Sequence, residues 1–271
     1  MRILIMNKKL IIANWKMNPQ SPKEARKLFL AFEENSKSVK NVEVVVCPPF
    51  VFSGFLDARI YSGDKKSKAS FGIHLGAQNC LWEQSGPYTG EISPAMLKSI
   101  GCEYVILGHS ERRQFFGETD EVINKKLKAV LSVRLRPILC IGERADEKEQ
   151  LKSVLESQLK GCLEGIKQNQ IANIIFAYEP VWAISTSGGE FCSSDDAFSA
   201  SLLIRKFLID RYGKYAANKA KIIYGGSVDA KEKDAAMYVQ EAKMDGVLVG
   251  AASLKAEEFG KIIKRVNEIK I

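Results

Sequence analysis

Residues 10–18 read Leu-Ile-Ile-Ala-Asn-Trp-Lys-Met-Asn, a short apolar run that passes directly into a turn carrying an amide and an ammonium group. An apolar run without alternation is typical of a parallel strand that is covered on both faces. The turn contains no glycine, whereas an open sheet that binds a dinucleotide favours a Gly-x-Gly-x-x-Gly turn after its first strand. This stretch therefore favours a closed barrel over an open doubly wound sheet.

Seven further runs resemble the one at residues 10–13, and helical patterns lie between them. They span residues 42–47, 73–77, 104–107, 137–141, 174–177, 221–224 and 246–249. Their centres are roughly 25 to 47 residues apart, which is the size of a strand–helix unit. Eight such units in about 250 residues predict an α/β fold, a (β/α)8 barrel of eight parallel strands with outer helices.

The intervening helices carry their own start signals. Ser21, Pro22 and Glu24 form a capping box with proline in the first turn, and a second serine–proline pair stands at residues 93–94. Apolar spacing predicts further helices at residues 229–239 and 254–269. Because no Pro/Gly/Ser-rich linker interrupts the pattern, we expect residues 1–271 to form one domain, with a short extension at residues 1–7.

The net positive charge is compatible with three classes of binding partner. With 40 Lys and Arg against 32 Asp and Glu, the formal charge of +8 is compatible with nucleic acid, anionic lipid or a small anionic substrate. The basic residues are scattered, and the tightest group, at residues 65–68, lies in a polar stretch typical of solvated surface. The charge alone leaves these three classes open, and our expectation of a small-molecule substrate, with neither a nucleic acid nor a membrane partner, rests on the motifs described below.

The cysteines and the first residues indicate the compartment. None of the six cysteines forms a Cys-x-x-Cys pair or has a Cys/His metal spacing, and most lie in apolar runs, where a thiol is a small buried apolar group. The apolar start at residues 1–6 is too short for a secretion signal, and no run reaches the length of a membrane span. We expect a cytoplasmic protein without a metal site.

Polar or small residues follow most of the predicted strands at their carboxyl ends. They are Asn14 and Lys16 after the first strand, His109 and Glu111 after the fourth, Glu179 after the sixth, Ser227 after the seventh, and Gly250 and Ala251 after the eighth. In a parallel barrel these ends form the rim that carries the active site. A carboxylate beside an imidazole, an ammonium and an amide suits proton abstraction next to a carbonyl. The small-residue turns predict a phosphate site.

Two carboxylates compete for the role of base. Glu179 lies between apolar residues 176–178 and 180–182, where desolvation makes a carboxylate more basic. Glu111 is followed by Arg112 and Arg113, which favours an ion-paired supporting role. Of the two histidines, His74 lies inside a predicted strand and is interpreted as structural.

The motifs resemble the triosephosphate isomerase family. They occupy residues 13–18, 76–79, 108–113, 177–184 and 223–228, in the family's order, and the resemblance runs from about residue 8 to the C-terminus. It implies interconversion of dihydroxyacetone phosphate and D-glyceraldehyde 3-phosphate through an enediolate, without a cofactor. It also implies that Glu179 is the base and that a neutral His109 polarises the carbonyl oxygens. Asn14 and Lys16 would stabilise the enediolate, supported by Glu111.

The resemblance further implies a lid after Glu179 and a phosphate held by backbone N–H groups of Ser185, Ser227, Gly250 and Ala251. Here the chain departs from the family, which usually has Gly-Thr-Gly-Lys where residues 185–188 read Ser-Thr-Ser-Gly, and glycine in place of Ala251. If Ser185 or Ser187 must adopt a positive φ, each costs on the order of 1 kcal/mol. The hypothesis is an active isomerase with altered lid kinetics, in which Gly188 contributes to a relocated hinge.

The loop from Gln78 to Glu91 resembles the family's interdigitating loop. It implies a homodimer in which Thr89 reaches the partner's site near Asn14 and Lys16. Two other functions remain open at this point. One is another phosphate-binding barrel, a lyase or isomerase, and the other is a degenerate, non-catalytic phosphate-binding barrel.

Overall fold

Eight parallel strands close into a barrel in chain order, with β8 paired to β1. The structure, a computed structural model, describes residues 8–56, 72–184, 190–231 and 233–269. The strands are β1 (Lys9–Asn14), β2 (Val42–Cys47), β3 (Ile73–Ala77), β4 (Tyr104–Leu107), β5 (Arg136–Ile141), β6 (Ile175–Tyr178), β7 (Lys221–Tyr224) and β8 (Gly246–Val249). The predicted (β/α)8 barrel is confirmed.

Helices surround this barrel. Within the described residues they are α1 (Pro22–Ser36), α2 (Phe50–Leu56), α3 (Pro94–Ser99), α4 (Ser110–Phe116), α5 (Asp120–Ser132), α6 (Leu151–Cys162), α7 (Gln168–Ile171), α8 (Ser194–Lys219), α9 (Ala235–Gln240) and α10 (Ala256–Asn267). Short 3-10 helices occupy Ala145–Gln150, Val181–Ala183 and Ala251–Leu254. None of the helices in this part of the chain has the length and apolarity to cross a membrane.

Both sequence signals for helix starts are confirmed. Ser21 caps α1 by accepting a hydrogen bond from the N–H of Glu24 at 3.3 Å. Ser93 caps α3 in the same way, accepting from the N–H of Met96 at 3.2 Å. Each side chain replaces a partner that the first turn of a helix cannot supply from within.

One predicted helix begins later than expected. The pattern predicted a helix over residues 229–239, but α9 begins at Ala235, after its N-cap Asp234. The carboxylate of Asp229 accepts the N–H groups of Lys231 and Lys233 and closes a turn of its own. An aspartate that binds nearby backbone N–H groups competes with helix formation, which explains the delay.

The strands are buried on both faces, as their continuous apolar character predicted. Side chains such as Ile11 and Phe176 pack between the barrel and the helices. Their neighbours along the strands, such as Ile12 and Ala177, fill the barrel interior. All six cysteines are free and buried. The extension at residues 1–7 and the lysine group at residues 65–68 lie outside the described residues.

A polar cluster lies where β4 and β5 begin. The hydroxyl of Tyr104 donates to Glu43, and Arg136 Nη1 donates to the Tyr104 oxygen at 2.6 Å. His74 Nδ1 lies 2.9 Å from an oxygen of Glu103. Residues at this end of a barrel serve stability rather than catalysis, which agrees with the structural interpretation of His74.

Candidate active site

A cavity of about 260 Å³ opens at the carboxyl ends of the strands. It is lined by six of the residues predicted from the rim, namely Asn14, Lys16, His109, Ser227, Gly250 and Ala251, together with residues of neighbouring turns. Glu179 lines a separate small cavity next to Ser110, and Glu111 lines another that shares Asn14 and Lys16 with the first. Ser185, Ser187 and Gly188 lie outside the described residues, so the lid hypothesis stays a prediction.

His109 stands at the start of α4 with a defined tautomer. It is the N-cap residue, and its Nδ1 accepts a hydrogen bond from the backbone N–H of Glu111 at 3.2 Å. A ring nitrogen that accepts a hydrogen bond carries no proton, so the neutral imidazole keeps its proton on Nε2. His109 therefore presents an N–H donor.

Glu179 follows β6 and is almost fully buried, with 2% of its surface exposed. Its Oε2 accepts a hydrogen bond from the backbone N–H of Ser110 at 3.2 Å. Its Oε1 has no hydrogen-bond partner and lies 3.6 Å from Nε2 of His109. The two groups expected to move protons are thus neighbours, and one carboxylate oxygen is left unbound.

Lys16 is held by three contacts. Its φ of +51° places it in the left-handed region, where its N–H donates to Oδ1 of Asn14 at 3.0 Å. Its carbonyl oxygen accepts from Nε2 of Gln78 at 2.8 Å. Its Nζ lies 2.5 Å from Oε1 of Glu111. The side-chain amides of Asn14 and Gln78 therefore fix the backbone that carries the ammonium group.

The partner of Glu111 differs from the sequence expectation. The neighbouring arginines were expected to pair with it, but Arg112 binds Glu118 and Arg113 binds Asp120. Since α4 turns successive side chains to different faces, residues adjacent in the chain do not meet. Glu111 instead neutralises Lys16. A carboxylate in that ion pair is a poor candidate for the base, which leaves Glu179.

The two predicted phosphate-binding turns differ in whether their backbone N–H groups are already hydrogen-bonded. Gly250 and Ala251 stand at the start of the 3-10 helix Ala251–Leu254, where helix geometry leaves N–H groups without partners inside the helix. The N–H of Ser227, by contrast, donates to the carbonyl oxygen of Ala183 at 3.2 Å, while its buried hydroxyl has no partner. A phosphate that uses the Ser227 N–H would have to share or displace this bond.

Sequence reasoning missed Glu143, which follows β5. Its Oε1 accepts hydrogen bonds from Nε1 of Trp182 at 2.7 Å and from the hydroxyl of Tyr178 at 3.0 Å. Its carbonyl oxygen accepts from the N–H of Val181 at 3.0 Å. Burial raises the pKa of its carboxyl group above the ordinary value. Glu143 thus anchors the segment after Glu179, and inspection of the rim at strand five would have found it.

Two glycines provide the space that Glu179 occupies. A Cβ on Gly225 would lie 2.7 Å from Cγ of Glu179, and a Cβ on Gly142 would lie 1.9 Å from its carbonyl oxygen. Real Cβ atoms do not approach so closely, so any side chain at these positions would displace Glu179. From the sequence, Gly225 was interpreted only as part of a phosphate-binding turn. Its contact with Glu179 joins residues that are distant in the chain, and no local sequence pattern indicates such a contact.

Known proteins resemble this chain over nearly its whole length. The family model described as triosephosphate isomerase matches residues 9–266. A protein of Alkaliphilus oremlandii named triosephosphate isomerase is 46% identical over 260 residues, which cover 95% of this chain and 99% of that relative. A protein of the same name from Dictyoglomus turgidum is 42% identical over 96% of this chain and 100% of its own length. Another from Caldanaerobacter subterraneus is 45% identical over 95% of this chain and 99% of its own length.

Proposed function

This chain belongs to the triosephosphate isomerase family, and we propose that its rim residues perform the interconversion of dihydroxyacetone phosphate and D-glyceraldehyde 3-phosphate. Glu179 takes a proton from the substrate carbon next to the carbonyl. The Nε2–H of His109 polarises the carbonyl oxygen and donates its proton to it, and the imidazolate so formed takes the proton of the neighbouring hydroxyl group, which restores Nε2–H and makes that carbon the new carbonyl carbon. Glu179 then returns a proton to the carbon that carried the original carbonyl group. The observation that carries this proposal is the 3.6 Å separation between Oε1 of Glu179 and Nε2 of His109.

The base must move before it reacts. Oε2 of Glu179 accepts a hydrogen bond from the N–H of Ser110, and Glu179 does not line the 260 Å³ cavity that His109 lines. Proton abstraction requires the carboxylate within hydrogen-bond distance of the substrate carbon's proton. Glu179 therefore rotates away from Ser110 towards the cavity when substrate binds.

Lys16 and Asn14 stabilise the enediolate electrostatically. Both line the cavity, and Lys16 keeps its ammonium group next to Glu111 at 2.5 Å. A preorganised cation needs little rearrangement when negative charge develops on the substrate oxygen. Glu111 positions the ammonium group rather than taking part in proton transfer. A neutral His109 suits the same step, because its acidity is closer to that of the enediol than an imidazolium's would be.

The phosphate group belongs at the turns after β7 and β8, which line the same cavity as Lys16. Gly250 and Ala251 lie at the start of a 3-10 helix, and N–H groups that lack a partner within a helix suit an anion. Ser227 lines the same cavity and contributes its N–H or its unpartnered hydroxyl. Ser185 stays a prediction from the sequence.

The active form is a homodimer. A second cavity of about 220 Å³ lies beside the site and is lined by Asn14 and Lys16 and by the apolar side chains of Met17 and Phe116. Met17 is 84% exposed in the single chain, which is unusual for an apolar side chain next to an active site. The exposed tip of the loop from Gln78 to Glu91, with Thr89, is suited to fill the equivalent cavity of a partner.

The six free, buried cysteines favour a reducing compartment, so we place the protein in the cytoplasm. The whole chain forms one barrel domain. These two assignments rest on the cysteines and on the continuity of the strand–helix pattern.

A coupled assay tests the proposed reaction directly. Purified protein is supplied with D-glyceraldehyde 3-phosphate, and dihydroxyacetone phosphate is detected through its reduction by glycerol-phosphate dehydrogenase and NADH. We expect rapid turnover by the wild type and none above background by Glu179→Gln, which keeps the shape of the side chain but cannot act as a base. Phosphate binding without turnover by the wild type would instead support a degenerate barrel.

A further inference from the structure

One charged residue of the motif at residues 108–113 has no part in the reaction proposed above. Arg113 lies on α4, the helix that begins after His109, and 21% of its side chain is exposed. It does not line the 260 Å³ cavity, but it lines the small cavity that Glu179 also lines. Any effect of Arg113 on the reaction must therefore pass through the groups that it holds.

Arg113 binds the peptide groups on both sides of His109. Nε of its guanidinium group donates to the carbonyl oxygen of Gly108 at 2.9 Å. Its backbone N–H donates to the carbonyl oxygen of His109 at 3.1 Å. Because the backbone has only two soft dihedral angles per residue, holding both flanking peptide groups fixes the direction in which the imidazole leaves the chain.

The glycine before His109 gives the guanidinium group the space for this contact. Gly108 has a φ of +70°, and a Cβ at this position would lie 3.2 Å from Nη2 of Arg113 and 3.2 Å from the carbonyl oxygen of Cys140. A residue with a side chain would be strained in this conformation and would also crowd the guanidinium group. The residue at position 108 is therefore suited to a close approach of Arg113.

Two further elements hold the guanidinium group in place. Its Nη1 donates to Oδ1 of Asp120, the first residue of α5, at 2.6 Å, and its Nη2 donates to the carbonyl oxygen of Cys140 on β5 at 3.4 Å. Sγ of Cys162 on α6 donates to the same oxygen of Asp120 at 3.3 Å. A guanidinium group carries five N–H donors in a rigid planar fork, so it can join several fixed acceptors at once. Arg113 thus ties the start of α4 to α5 and to the barrel.

The start of α4 sets the positions of both reacting groups. The N–H of Glu111 donates to Nδ1 of His109 at 3.2 Å, and the N–H of Ser110 donates to Oε2 of Glu179 at 3.2 Å. A shift of this helix start would change both hydrogen bonds together. A misplacement of about 1 Å in a catalytic group can cost roughly 100-fold in rate.

We propose that Arg113 is a positioning residue for the isomerase reaction, which holds the peptide groups around His109 so that the imidazole and the N–H of Ser110 keep their catalytic geometry. This inference rests on the proposed function, since it concerns the acid and base of that reaction. Arg113 does not line the substrate cavity. Its contribution therefore belongs in kcat rather than in substrate affinity.

Arg113→Lys tests this role while keeping the positive charge beside Asp120. A single ammonium group cannot also donate to the carbonyl oxygens of Gly108 and Cys140, because it lacks the planar fork of the guanidinium group. We expect kcat to fall about tenfold to hundredfold. KM for D-glyceraldehyde 3-phosphate should stay within about a factor of two, since uniform binding is unchanged. Wild-type kcat in Arg113→Lys would overturn the proposal.

Arg205→Lys is the matched control. The side chain of Arg205 is 25% exposed, against 21% for Arg113, and it also pairs with an aspartate, Asp245, at 3.5 Å. It donates to the carbonyl oxygens of Ala217 and Ala220, which precede the amino end of β7, away from the rim that carries the site. Both lysine variants should unfold at lower urea concentration than wild type, but Arg205→Lys should keep wild-type kcat. An equal fall of kcat in both variants would show a merely structural role.

Asp120→Asn covers the case in which Arg113→Lys does not fold. Asparagine keeps an acceptor oxygen for Nη1 of Arg113 but removes the charge, and a charge-assisted hydrogen bond is about twice as strong as a neutral one. We expect kcat to fall about threefold, less than in Arg113→Lys, again with little change in KM. An unchanged kcat in Asp120→Asn would then overturn the proposal.

The imidazole of His109 gives a readout that does not depend on turnover. The chain has two histidines, so in a His74→Gln background the ring nitrogens seen by NMR belong to His109 alone. They should report one tautomer, protonated at Nε2, and Arg113→Lys should shift both resonances towards a mixture of tautomers, whereas Arg205→Lys should not. Unshifted resonances in Arg113→Lys would overturn the proposal. If the wild type has no isomerase activity, the proposed function fails, and this spectrum still tests the hold of Arg113 on His109.

Discussion

The backbone N–H of Ser110 donates a hydrogen bond to Oε2 of Glu179 at 3.2 Å. Ser110 is the first residue of α4, and His109 is the N-cap of the same helix. One helix start therefore holds the carboxylate through an N–H group and fixes the neutral tautomer of the imidazole through the next one. A single element therefore sets the positions of the proposed acid and base before substrate binds.

Shortening the side chain of Glu179 should slow the chemical step without weakening substrate binding. In Glu179→Asp the carboxylate is withdrawn by about one methylene, and a displacement near 1 Å costs roughly 100-fold or more in rate. We expect kcat to fall by that factor with little change in KM, measured in the coupled assay. Glu149→Asp, at an exposed position, is the matched control. An unchanged kcat would remove Glu179 from the role of base.

Gly225 should be intolerant of any side chain. The Cβ of Gly225→Ala would lie 2.7 Å from Cγ of Glu179, so the glutamate has to shift. We expect kcat to drop at least tenfold, while overpacking lowers the free energy of unfolding by about 1–3 kcal/mol. Urea unfolding and turnover measured on the same preparation give both values. Full activity in Gly225→Ala would show that Glu179 does not need this space.

Glu179 and Gly225 show which features of the structure can be predicted from the sequence. β2, β3, β4, β7 and β8 have the predicted bounds to the residue, since parallel strands covered on both faces leave continuous apolar runs. Asn14, Lys16 and His109 were placed at one rim because barrel topology brings strand ends together. The contact between Gly225 and Glu179 and the ion pair of Lys16 with Glu111 join residues distant in the chain, and no local pattern encodes such partners.

Hydrogen bonding to Glu143 should matter more than its charge. Two buried donors, Trp182 Nε1 and the Tyr178 hydroxyl, share its Oε1. Glu143→Gln keeps an acceptor oxygen and removes a charge that burial disfavours, so we expect stability within about 1 kcal/mol of wild type. Glu143→Leu leaves both donors unpaired and should cost about 2–4 kcal/mol in urea unfolding. Equal stability of the two variants would contradict this account.

His74 should give the protein a pH-dependent stability. Burial of the ring lowers its pKa, but the hydrogen bond and charge of Glu103 and the charge of Glu43 outweigh this and raise the pKa above its ordinary value. The stabilisation is therefore complete below the unfolded-state pKa, near 6.5, and is lost as pH rises through the folded-state pKa. Its size should be below about 1 kcal/mol, as for other half-buried ion pairs.

Urea unfolding of wild type and His74→Gln between about pH 5.5 and 8.5 measures the pH-dependent contribution of His74 to stability. The free energy of unfolding of the wild type should fall more steeply with pH than that of the variant. His109, the other histidine, is unchanged in both proteins and cancels in the comparison. Parallel pH profiles would show that His74 does not titrate differently in the folded and unfolded states.

Disrupting the proposed dimer should lower activity without touching the site of the same chain. Thr89 lies in the exposed tip of its loop, and the cavity of about 220 Å³ that would receive it borders Asn14 and Lys16. Thr89→Arg places a charge against the apolar wall of that cavity, so we expect a monomer by light scattering at micromolar concentration and a large loss of kcat. Asn169→Arg, an exposed position on α7, should remain dimeric and active. A wild type that is monomeric and fully active would show that each barrel completes its own site.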